Sequence, residues 1–365
     1  MASTALSMRQ RRMVQALWRF GPQSRIQLHT QLGLRPNTVG ADADRLVRLG
    51  ILRESDGVVR GRGRPARPLR IDDRRRQVVG LALRRQRIEV ARLSLTGQLV
   101  GQILGQEVAE PRDMVGVGAA CLRACVDRNT LAVGISTPGF VESEAQRIVF
   151  SAIWPAHGPI PVQELYRASG ARPVVLENDM HALAAQWLLS QRCEPREDAL
   201  LVYIDDGQLG SALLVGGRPN RGCITGANEL GHTRLPVATE GCYCGQTGCI
   251  ERIVSSAFAG GGRPGLTLAQ RLARGGDPKV DEIVGHLGMV LANAVNFTRV
   301  QQLVLAGPLG ALPALAEPLT RLVRRLVLPT LAERITMDAW GQSVAAPGIV
   351  AGWLALTQIL IDSWE

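Results

Sequence analysis

The sequence lacks any apolar run long enough to cross a membrane, and its first 21 residues do not have the pattern of a secretion signal. A membrane-spanning helix needs about 20 consecutive apolar residues, and no run in these 365 residues approaches that length. Residues 1–21 carry basic side chains, but no apolar block followed by a small-residue cleavage site. We therefore expect a soluble cytoplasmic protein with no membrane partner.

Cysteine is also scarce, and its pattern argues against a disulfide framework. The cysteines number seven, which is odd, and three of them are clustered at Cys242, Cys244 and Cys249. Such clustering is typical of thiols or metal ligands in a reducing compartment. The other four are expected to be ordinary buried or partly buried thiols. They are Cys121, Cys125, Cys193 and Cys223.

Acidic residues are few only in the first fifth of the chain. Residues 1–76 contain 17 arginines and 6 acidic residues, a net charge of +11, whereas residues 77–365 contain 25 basic and 26 acidic residues. The overall charge of +10 therefore belongs to the N-terminal segment. This asymmetry indicates a segment that meets a polyanion, joined to a neutral segment with another task. Charge alone does not distinguish such a segment from a solvated basic face.

The basic segment has the helix order of a helix-turn-helix. Apolar residues at helical spacing predict a first helix that ends at Gly21. Ser24 is a suitable N-cap for a short second helix, which Gly33 would end. Pro36 suits the first turn of a third helix. In a helix-turn-helix this third element would be the recognition helix, which lies in the major groove.

The start of the recognition helix carries side chains suited to DNA. Arg35, Asn37 and Thr38 are expected to face base edges and phosphates, since arginine suits guanine and asparagine suits adenine. Two acids, Asp42 and Asp44, follow in the same helix. Their carboxylates must point away from the DNA phosphates, accept a hydrogen bond from a cytosine amino group, or weaken DNA binding.

Residues 51–55 and 68–72 predict two paired strands that flank a basic tip. In this tip Arg60, Arg62 and Arg64 alternate with residues that add little bulk. The narrow minor groove of A·T-rich DNA attracts such arginines. The segment could also be a flexible basic linker, but the preceding helix-turn-helix favours a wing. We expect a winged helix-turn-helix DNA-binding domain over residues 1–72.

From residue 77 onward, strands and helices alternate, which predicts an α/β architecture with mixed sheets. Five stretches then carry a resemblance, in the order VGISTPGFV, VVLENDMHALAAQ, GGRPNRGCITGANELGHTRL, GCYCGQTGCIE and QQLVLAGPLG. Together with residues 1–72, which we call the head and whose predicted wing tip reads GRGRP, they resemble the ROK family of repressors, open reading frames and kinases. The resemblance extends over nearly all of residues 77–365. The resemblance implies a two-lobed domain that is actin-like, sugar-kinase-like and ribonuclease H-like. Its lobes would span approximately 77–185 and 186–345, with a C-terminal helix at 346–365 packing back.

The resemblance also assigns a metal site. His232, Cys242, Cys244 and Cys249 match the zinc ligands of the family. Three thiolates and one imidazole complete a tetrahedron and leave no position for water, so the zinc would be structural. Its expected task is to hold the loop 231–251. The alternative is a reduced cluster without metal, which the matching histidine and glycines disfavour.

A sugar site is implied in the cleft between the lobes. Carboxylates and an amide can hold adjacent sugar hydroxyls in paired hydrogen bonds, and Asp179 matches the general base of the kinases. His232 would serve twice, because its second ring nitrogen is left for the sugar. The five matching sugar ligands are Asn178, Asp179, Glu229, His232 and Glu251.

The phosphate-binding loops of the family's kinases are not retained. Residues 80–87 stand where the kinases have DxGxT, with Ala82 in place of the acid, and residues 206–210 stand where they have GTGxG. Phosphoryl transfer depends on placing phosphates and magnesium, so we expect no kinase activity. After the asparagine-aspartate pair, Met180, His181 and Trp187 also depart from the family pattern, and His181 is expected to be structural.

These observations predict a sugar-responsive, DNA-binding transcriptional regulator, a repressor of carbohydrate-metabolism genes. It would act as a homodimer or larger oligomer on a palindromic double-stranded operator with A·T-rich minor-groove contacts. Its effector would be a sugar or a sugar phosphate. One alternative is a regulator that acts without ligand, or under a protein partner, with a vestigial pocket. Another is an active ATP-dependent sugar kinase.

Overall fold

The computed structural model describes residues 6–55, 67–151, 158–191, 198–222, 226–236, 239–261, 265–341 and 345–361. The chain forms two compact units, of which the first is Met1–Cys193 with Ala346–Glu365 and the second is Glu194–Ala345. Arg60, Arg62 and Arg64, predicted for the wing tip, lie outside the described residues, as do Cys193 and Cys223. None of the helices in the described ranges is long and apolar enough to span a bilayer.

The first unit begins with the predicted helix-turn-helix and the base of a wing. Its elements are α1 (Met8–Phe20), α2 (Arg25–Leu32), α3 (Pro36–Arg48), β1 (Leu52–Glu54) and β2 (Leu69–Ile71). Ser24 caps α2 through a reciprocal pair of bonds with Gln27, and Gly33 ends that helix in the left-handed conformation at φ 64°. The antiparallel pairing of β1 with β2 confirms the two predicted strands.

The remainder of the first unit is built on a five-stranded mixed sheet. The described residues of this part of the unit contain eight strands, of which five form the main sheet. They are β3 (Gln77–Arg84), β4 (Arg87–Ser94), β5 (Leu104–Glu107), β6 (Thr130–Thr137), β7 (Phe140–Glu142), β8 (Arg147–Phe150), β9 (Ile160–Pro161) and β10 (Val174–Asn178). The main sheet has the order β10-β6-β3-β4-β5, and β7, β8 and β9 form a smaller sheet. The accompanying helices are α4 (Met114–Cys125), α5 (Gln163–Ala168) and α6 (Asp179–Ser190), with a 3-10 turn at Pro111–Asp113.

The second unit repeats this plan with its own mixed sheet. The sheet order is β13-β12-β11-β14-β15, from β11 (Ala199–Asp205), β12 (Gln208–Val215), β13 (Arg218–Pro219), β14 (Gln302–Ala306) and β15 (Thr336–Trp340). Its helices are α7 (Ile250–Ile253), α8 (Ser256–Ala259), α9 (Leu268–Arg274), α10 (Pro278–Thr298), α11 (Gly307–Gly310), α12 (Pro313–Leu326) and α13 (Pro329–Ala332), with a 3-10 turn at Leu230–His232. In both sheets an antiparallel hairpin precedes parallel strands.

The last helix, α14 (Pro347–Leu360), returns to the first unit and packs on its main sheet. Glycine allows this close approach. A Cβ atom on Gly80 would lie 2.0 Å from the backbone nitrogen of Gly352, and one on Gly134 would lie 2.1 Å from the carbonyl oxygen of Ala351. The two mixed sheets with flanking helices confirm the predicted α/β fold.

Candidate DNA-binding, metal-binding and sugar-binding sites

The first turn of α3 is exposed and free of acidic side chains. Arg35 is the N-cap residue and Pro36 opens the helix, as the sequence predicts. Arg35 and Asn37 are exposed and Thr38 is partly buried. The positive end of the helix dipole also lies here, which favours phosphate contact. Their role in binding DNA stays a prediction.

The two acids of the recognition helix are held by other helices of the head. Asp42 is buried, and its carboxylate accepts from Gln10 Nε2 at 3.0 Å and from Arg9 Nε at 3.2 Å, both on α1. Asp44 accepts from the guanidinium of Arg25 on α2 at 2.7 Å. For Asp42 the structure supports the first of the three interpretations, because its buried carboxylate is turned into the head. The side chain of Asp44 is 51% exposed, and its carboxylate is paired with Arg25 at the surface.

The predicted metal ligands come together in the second unit. One ligand atom each from His232, Cys242, Cys244 and Cys249 lies within 4.8 Å of all the others, so the group could hold a metal ion. Cys244 Sγ and Cys249 Sγ are 3.7 Å apart, and Cys242 Sγ is 3.6 Å from His232 Nδ1. A tetrahedral zinc with Zn–S bonds of about 2.3 Å would separate its sulfurs by about 3.8 Å. The spacing therefore fits that ion.

The three thiols have different acidities. Burial raises the pKa of Cys242 and, together with the neighbouring thiols Cys244 and Cys242, raises that of Cys249 to about 12. For Cys244 burial acts in the same direction, but hydrogen bonds from the backbone of Gln246 and from the other thiols outweigh it, so its pKa is lowered. Outside this cluster, Cys121 is buried and Cys125 is partly buried, as expected.

Two of the predicted sugar ligands adjoin the cluster. Glu229 Oε2 lies 3.7 Å from Nε2 of His232, so Nδ1 of the imidazole faces the thiols and Nε2 faces a carboxylate. Glu251 is buried, and its Oε2 accepts from the backbone nitrogen of Leu209 at 3.2 Å. Its Oε1 is buried without a hydrogen-bond partner in the described part of the chain, so one acceptor is left for a ligand.

Tyr243 links the metal cluster to Glu251, and sequence reasoning missed it. Its ring stands edge-on to that of His232, with centroids 5.2 Å apart, and its hydroxyl donates to Glu251 Oε2 at 3.3 Å. Burial and the charge of Glu251 both raise the pKa of the tyrosine, so it remains a donor. The signal was its position between two predicted ligands, Cys242 and Cys244.

The other two predicted sugar ligands open α6 in the first unit. Asn178 caps the helix, since its Oδ1 accepts from the backbone nitrogen of Met180 at 2.7 Å, and its Nδ2 donates to Gly139 O at 2.8 Å. Oδ2 of Asp179 lies 3.4 Å from Nη1 of Arg84, the last residue of β3. Burial raises the pKa of Asp179, and the guanidinium opposes that rise.

His181 proves to be part of the core, as expected. It is fully buried, and its Nδ1 lies 3.0 Å from Oε2 of Glu177, which is also buried. The pair joins the end of β10 to the first turn of α6, so it fixes the junction that carries Asn178 and Asp179. The i, i+4 spacing of the two residues could have indicated this contact.

The segment in place of the second phosphate loop is a tight hairpin turn. Asp205 pairs with Gln208 across it, and Gly207 has a φ of 71°, in the left-handed region. Both carboxylate oxygens of Asp206 are bound by Ser256, one by its backbone nitrogen at 2.6 Å and the other by its hydroxyl. The turn thus carries a carboxylate that is fixed by the protein.

Known proteins are similar to this chain in sequence and in fold. The DNA-binding transcriptional dual regulator NagC of Escherichia coli (strain K12) is 24% identical over 321 residues, which cover 79% of this chain and 77% of that protein. An N-acetyl-D-glucosamine kinase of Pectobacterium carotovorum is 30% identical over 243 residues, which cover 59% of this chain and 78% of the kinase. The solved structure of a ROK family transcriptional regulator, a homologue of the E. coli MLC protein, matches with a TM-score of 0.76 and 23% identity.

That structural match covers 96% of both chains, so it includes the helix-turn-helix as well as the two sheets. The alignment to the kinase covers a smaller share of this chain. Regulators and sugar kinases therefore both occur among the relatives. The family model of the ROK family matches residues 120–356, which is well over half of the sequence, and the chain belongs to the ROK family.

Proposed function

We propose that the chain is a DNA-binding transcriptional regulator whose ROK domain binds a sugar without phosphorylating it. The observation that carries this proposal is the ion pair between Arg84 and Asp179. A kinase needs this carboxylate to take a proton from the attacking hydroxyl. Burial raises the pKa of Asp179, and the neighbouring guanidinium opposes that rise, so the carboxylate accepts a proton less readily than it would without Arg84. The relatives include transcriptional regulators whose alignments cover 79% and 96% of this chain, which supports the same conclusion.

The missing phosphate sites support it independently. Ala82 offers no ligand for magnesium, and Asp206 would repel a triphosphate. Because phosphoryl transfer relies on positioned phosphates and metal, a lone carboxylate at Asp179 does not suffice for catalysis.

For DNA, we propose that α3 enters the major groove with Arg35, Asn37 and Thr38 facing base edges and phosphates. The basic tip with Arg60, Arg62 and Arg64 would enter an adjacent A·T-rich minor groove. A homodimer would place two heads on a palindromic operator. Repression of carbohydrate-metabolism genes in the cytoplasm is the role we propose.

For the effector, we propose a sugar or sugar phosphate held through hydroxyl contacts with five residues. The kinase relative points by its name to N-acetyl-D-glucosamine, a carbohydrate, as a ligand within the family. Glu251 supports the proposal with an unpartnered, buried Oε1. The proposed ligand set is Asn178, Asp179, Glu229, His232 and Glu251.

We propose that the His232, Cys242, Cys244 and Cys249 group holds structural zinc. When bound, the ion would fix the loop conformation and occupy Nδ1 of His232, which leaves Nε2 for hydrogen bonding. Tyr243 and Glu251 would then be held beside it by the contacts described above.

The test combines operator titration with an ATP assay. Operator fragments selected from genomic DNA would be titrated with the purified chain, with and without glucose, N-acetyl-D-glucosamine and their 6-phosphates. We expect one probe to change operator affinity, and no sugar-dependent release of ADP. Asn37→Ala should lose operator affinity, whereas Arg324→Ala, at an exposed arginine outside the head, should keep it.

Sugar-dependent ATP turnover would overturn the proposal in favour of a kinase. If operator binding is specific but no probe alters it, the regulator acts without these ligands. The contacts of Asn178 would be consistent with such a ligand-independent regulator, because both the oxygen and the nitrogen of its amide already form hydrogen bonds within the protein.

A further inference from the structure

The C-terminal end of α6 is capped by the DNA-binding head. Nε1 of Trp18, on α1, donates to the carbonyl oxygen of Leu189 at 3.0 Å, and the bond is buried. The last four carbonyls of a helix have no partner within it, and Leu189 lies in the last turn of α6. The indole therefore supplies a side-chain donor to a carbonyl in the last turn of α6, where the regular i+4 donors of the helix have run out.

Trp18 is also packed against the last helix of the chain. Its ring meets that of Trp353 on α14 edge-on, with centroids 6.0 Å apart. Arg11 of α1 donates to the carbonyl oxygen of Ile361, just past α14, at 3.2 Å. Leu189 shares one apolar cluster with the core of the head. The head is thus joined to α6 and α14 by a common core and by directed hydrogen bonds.

The other end of α6 carries the proposed sugar ligands. Asn178 is its N-cap and Asp179 its first residue. Twelve residues separate the two ends by about 18 Å. The side chains from Met180 to Leu189 are all buried. Since close-packed interiors transmit strain rather than absorb it, a displacement at Asp179 would move the whole helix.

Within the head, α1 is bonded to the recognition helix. The amide of Gln10 and the guanidinium of Arg9, both on α1, hold the carboxylate of Asp42 on α3. A continuous set of contacts therefore leads from Asp179 along α6, through Trp18 to α1, and through Asp42 to α3. Every residue of this set belongs to the first unit.

We propose that α6 is the element that couples effector binding to DNA binding, and that Trp18 is the residue through which it acts. The proposal rests on the function proposed above. A sugar that contacts Asp179 would favour one position of α6, and the head would follow because its indole is bonded to the end of that helix. To shift operator binding, the sugar must prefer one position over the other.

The variant Trp18→Phe tests this, since it removes the N–H donor and keeps an aromatic ring in the core. Operator Kd would be measured without ligand and at saturation with whichever of glucose, N-acetyl-D-glucosamine or their 6-phosphates shifts the wild type most. Coupling in allosteric proteins is about 5- to 150-fold. We expect the variant to lose most of the wild-type ratio, while sugar Kd and ligand-free operator Kd each change by about twofold or less.

Trp340→Phe is the matched control, because Trp340 lies in β15 of the second unit, and it should keep the wild-type ratio. Linkage gives an internal check, since saturating operator must change sugar Kd by the same factor. A Trp18→Phe chain that folds and retains full coupling would overturn the proposal. If no probe sugar shifts wild-type operator binding, the proposed function fails, and this inference fails with it.

Hydrogen–deuterium exchange on the wild-type chain gives a second measurement that does not depend on the variant's folding. The active probe sugar should change amide protection at the C-terminal turn of α6 and in α1 and α3. Unchanged exchange in α1, together with a sugar-dependent operator Kd, would show that coupling takes another route and would overturn the assignment to Trp18.

Discussion

Asp179 lies at the start of α6 under two opposed influences. Burial raises the pKa of its carboxyl, and the guanidinium of Arg84 opposes that rise. The ionised carboxylate accepts two donors well and is the form that a sugar hydroxyl would meet. Sugar binding should therefore be complete above the pKa of Asp179 in the folded chain, and it should weaken as pH falls through that value.

The variant Arg84→Gln is expected to move the loss of sugar binding to higher pH. With the cation removed, the effect of burial is unopposed, so the pKa of Asp179 rises further. The measurement is sugar Kd by calorimetry across the acidic range. Arg85→Gln, at the exposed neighbour, is the control and should leave the profile unchanged. An unshifted profile in Arg84→Gln would show that the ion pair does not set this titration.

The variant Cys244→Ser is expected to lose the metal. The wild-type chain should contain about one zinc per chain, because three thiolates and an imidazole form a closed site. Metal content by mass spectrometry should fall in the variant, and its Tm should fall as well, since the loop 231–251 loses its bound ion. Cys125→Ser, at a partly buried thiol of α4, is the control. Full zinc content in Cys244→Ser would contradict the site.

At the scale of elements, local signals in the sequence set the ends of the helices. Ser24, Gly33 and Pro36 mark boundaries through their own backbone preferences, so these boundaries were predictable. The direction in which a side chain points was not predictable in the same way. Asp42 had three possible roles until its partner Gln10, 32 residues earlier, was brought beside it by packing of α1 on α3.

The same distinction applies to the candidate sites. The cysteines and histidine of the metal cluster are close in sequence, so the family resemblance could be matched to them residue by residue, and it predicted a ligand set. Arg84 and Asp179 are 95 residues apart, and Trp18 and Leu189 are 171 apart. Contacts over such separations depend on strand order and helix packing, which a local sequence pattern does not predict.

The packing of α14 on its sheet gives a prediction at this scale. Gly134→Ala places a Cβ atom 2.1 Å from Ala351 O and 2.8 Å from the backbone nitrogen of Ala355, so the helix must move away. We expect the free energy of unfolding to fall by about 1–3 kcal/mol, as in other overpacked cores. Urea denaturation measures it.

Gly116→Ala is the matched control, in the exposed part of α4, where an added Cβ meets nothing within 4 Å. Alanine is the better helix former, so this variant should gain about 0.5–1 kcal/mol. Equal effects of the two substitutions would mean that α14 does not depend on close approach at Gly134.

At the scale of the whole molecule, the two proposed ligands, DNA and a sugar, would bind regions of different charge. Residues 1–76 have a net charge of +11, and the other 289 residues have a net charge of −1. Within the head, two acids of α3 are paired with arginines of α1 and α2. The exposed first turn of α3 carries no acidic side chain. The positive charge of residues 1–76 is therefore not offset by an acid in this turn, where DNA would bind.

This separation predicts that salt will affect the two binding reactions differently. Each phosphate that the head neutralises releases counterions, and log Kobs for DNA falls with log salt by about 0.9 per phosphate contact. Operator affinity should therefore drop steeply as salt rises, whereas sugar affinity should stay nearly constant. Both are measured on one preparation over the same salt series. Arg35→Ala should reduce the DNA slope by about one contact, and Arg324→Ala should leave it unchanged. A DNA slope near zero would contradict binding through the basic head, because an interface with no phosphate contacts has no counterions to release.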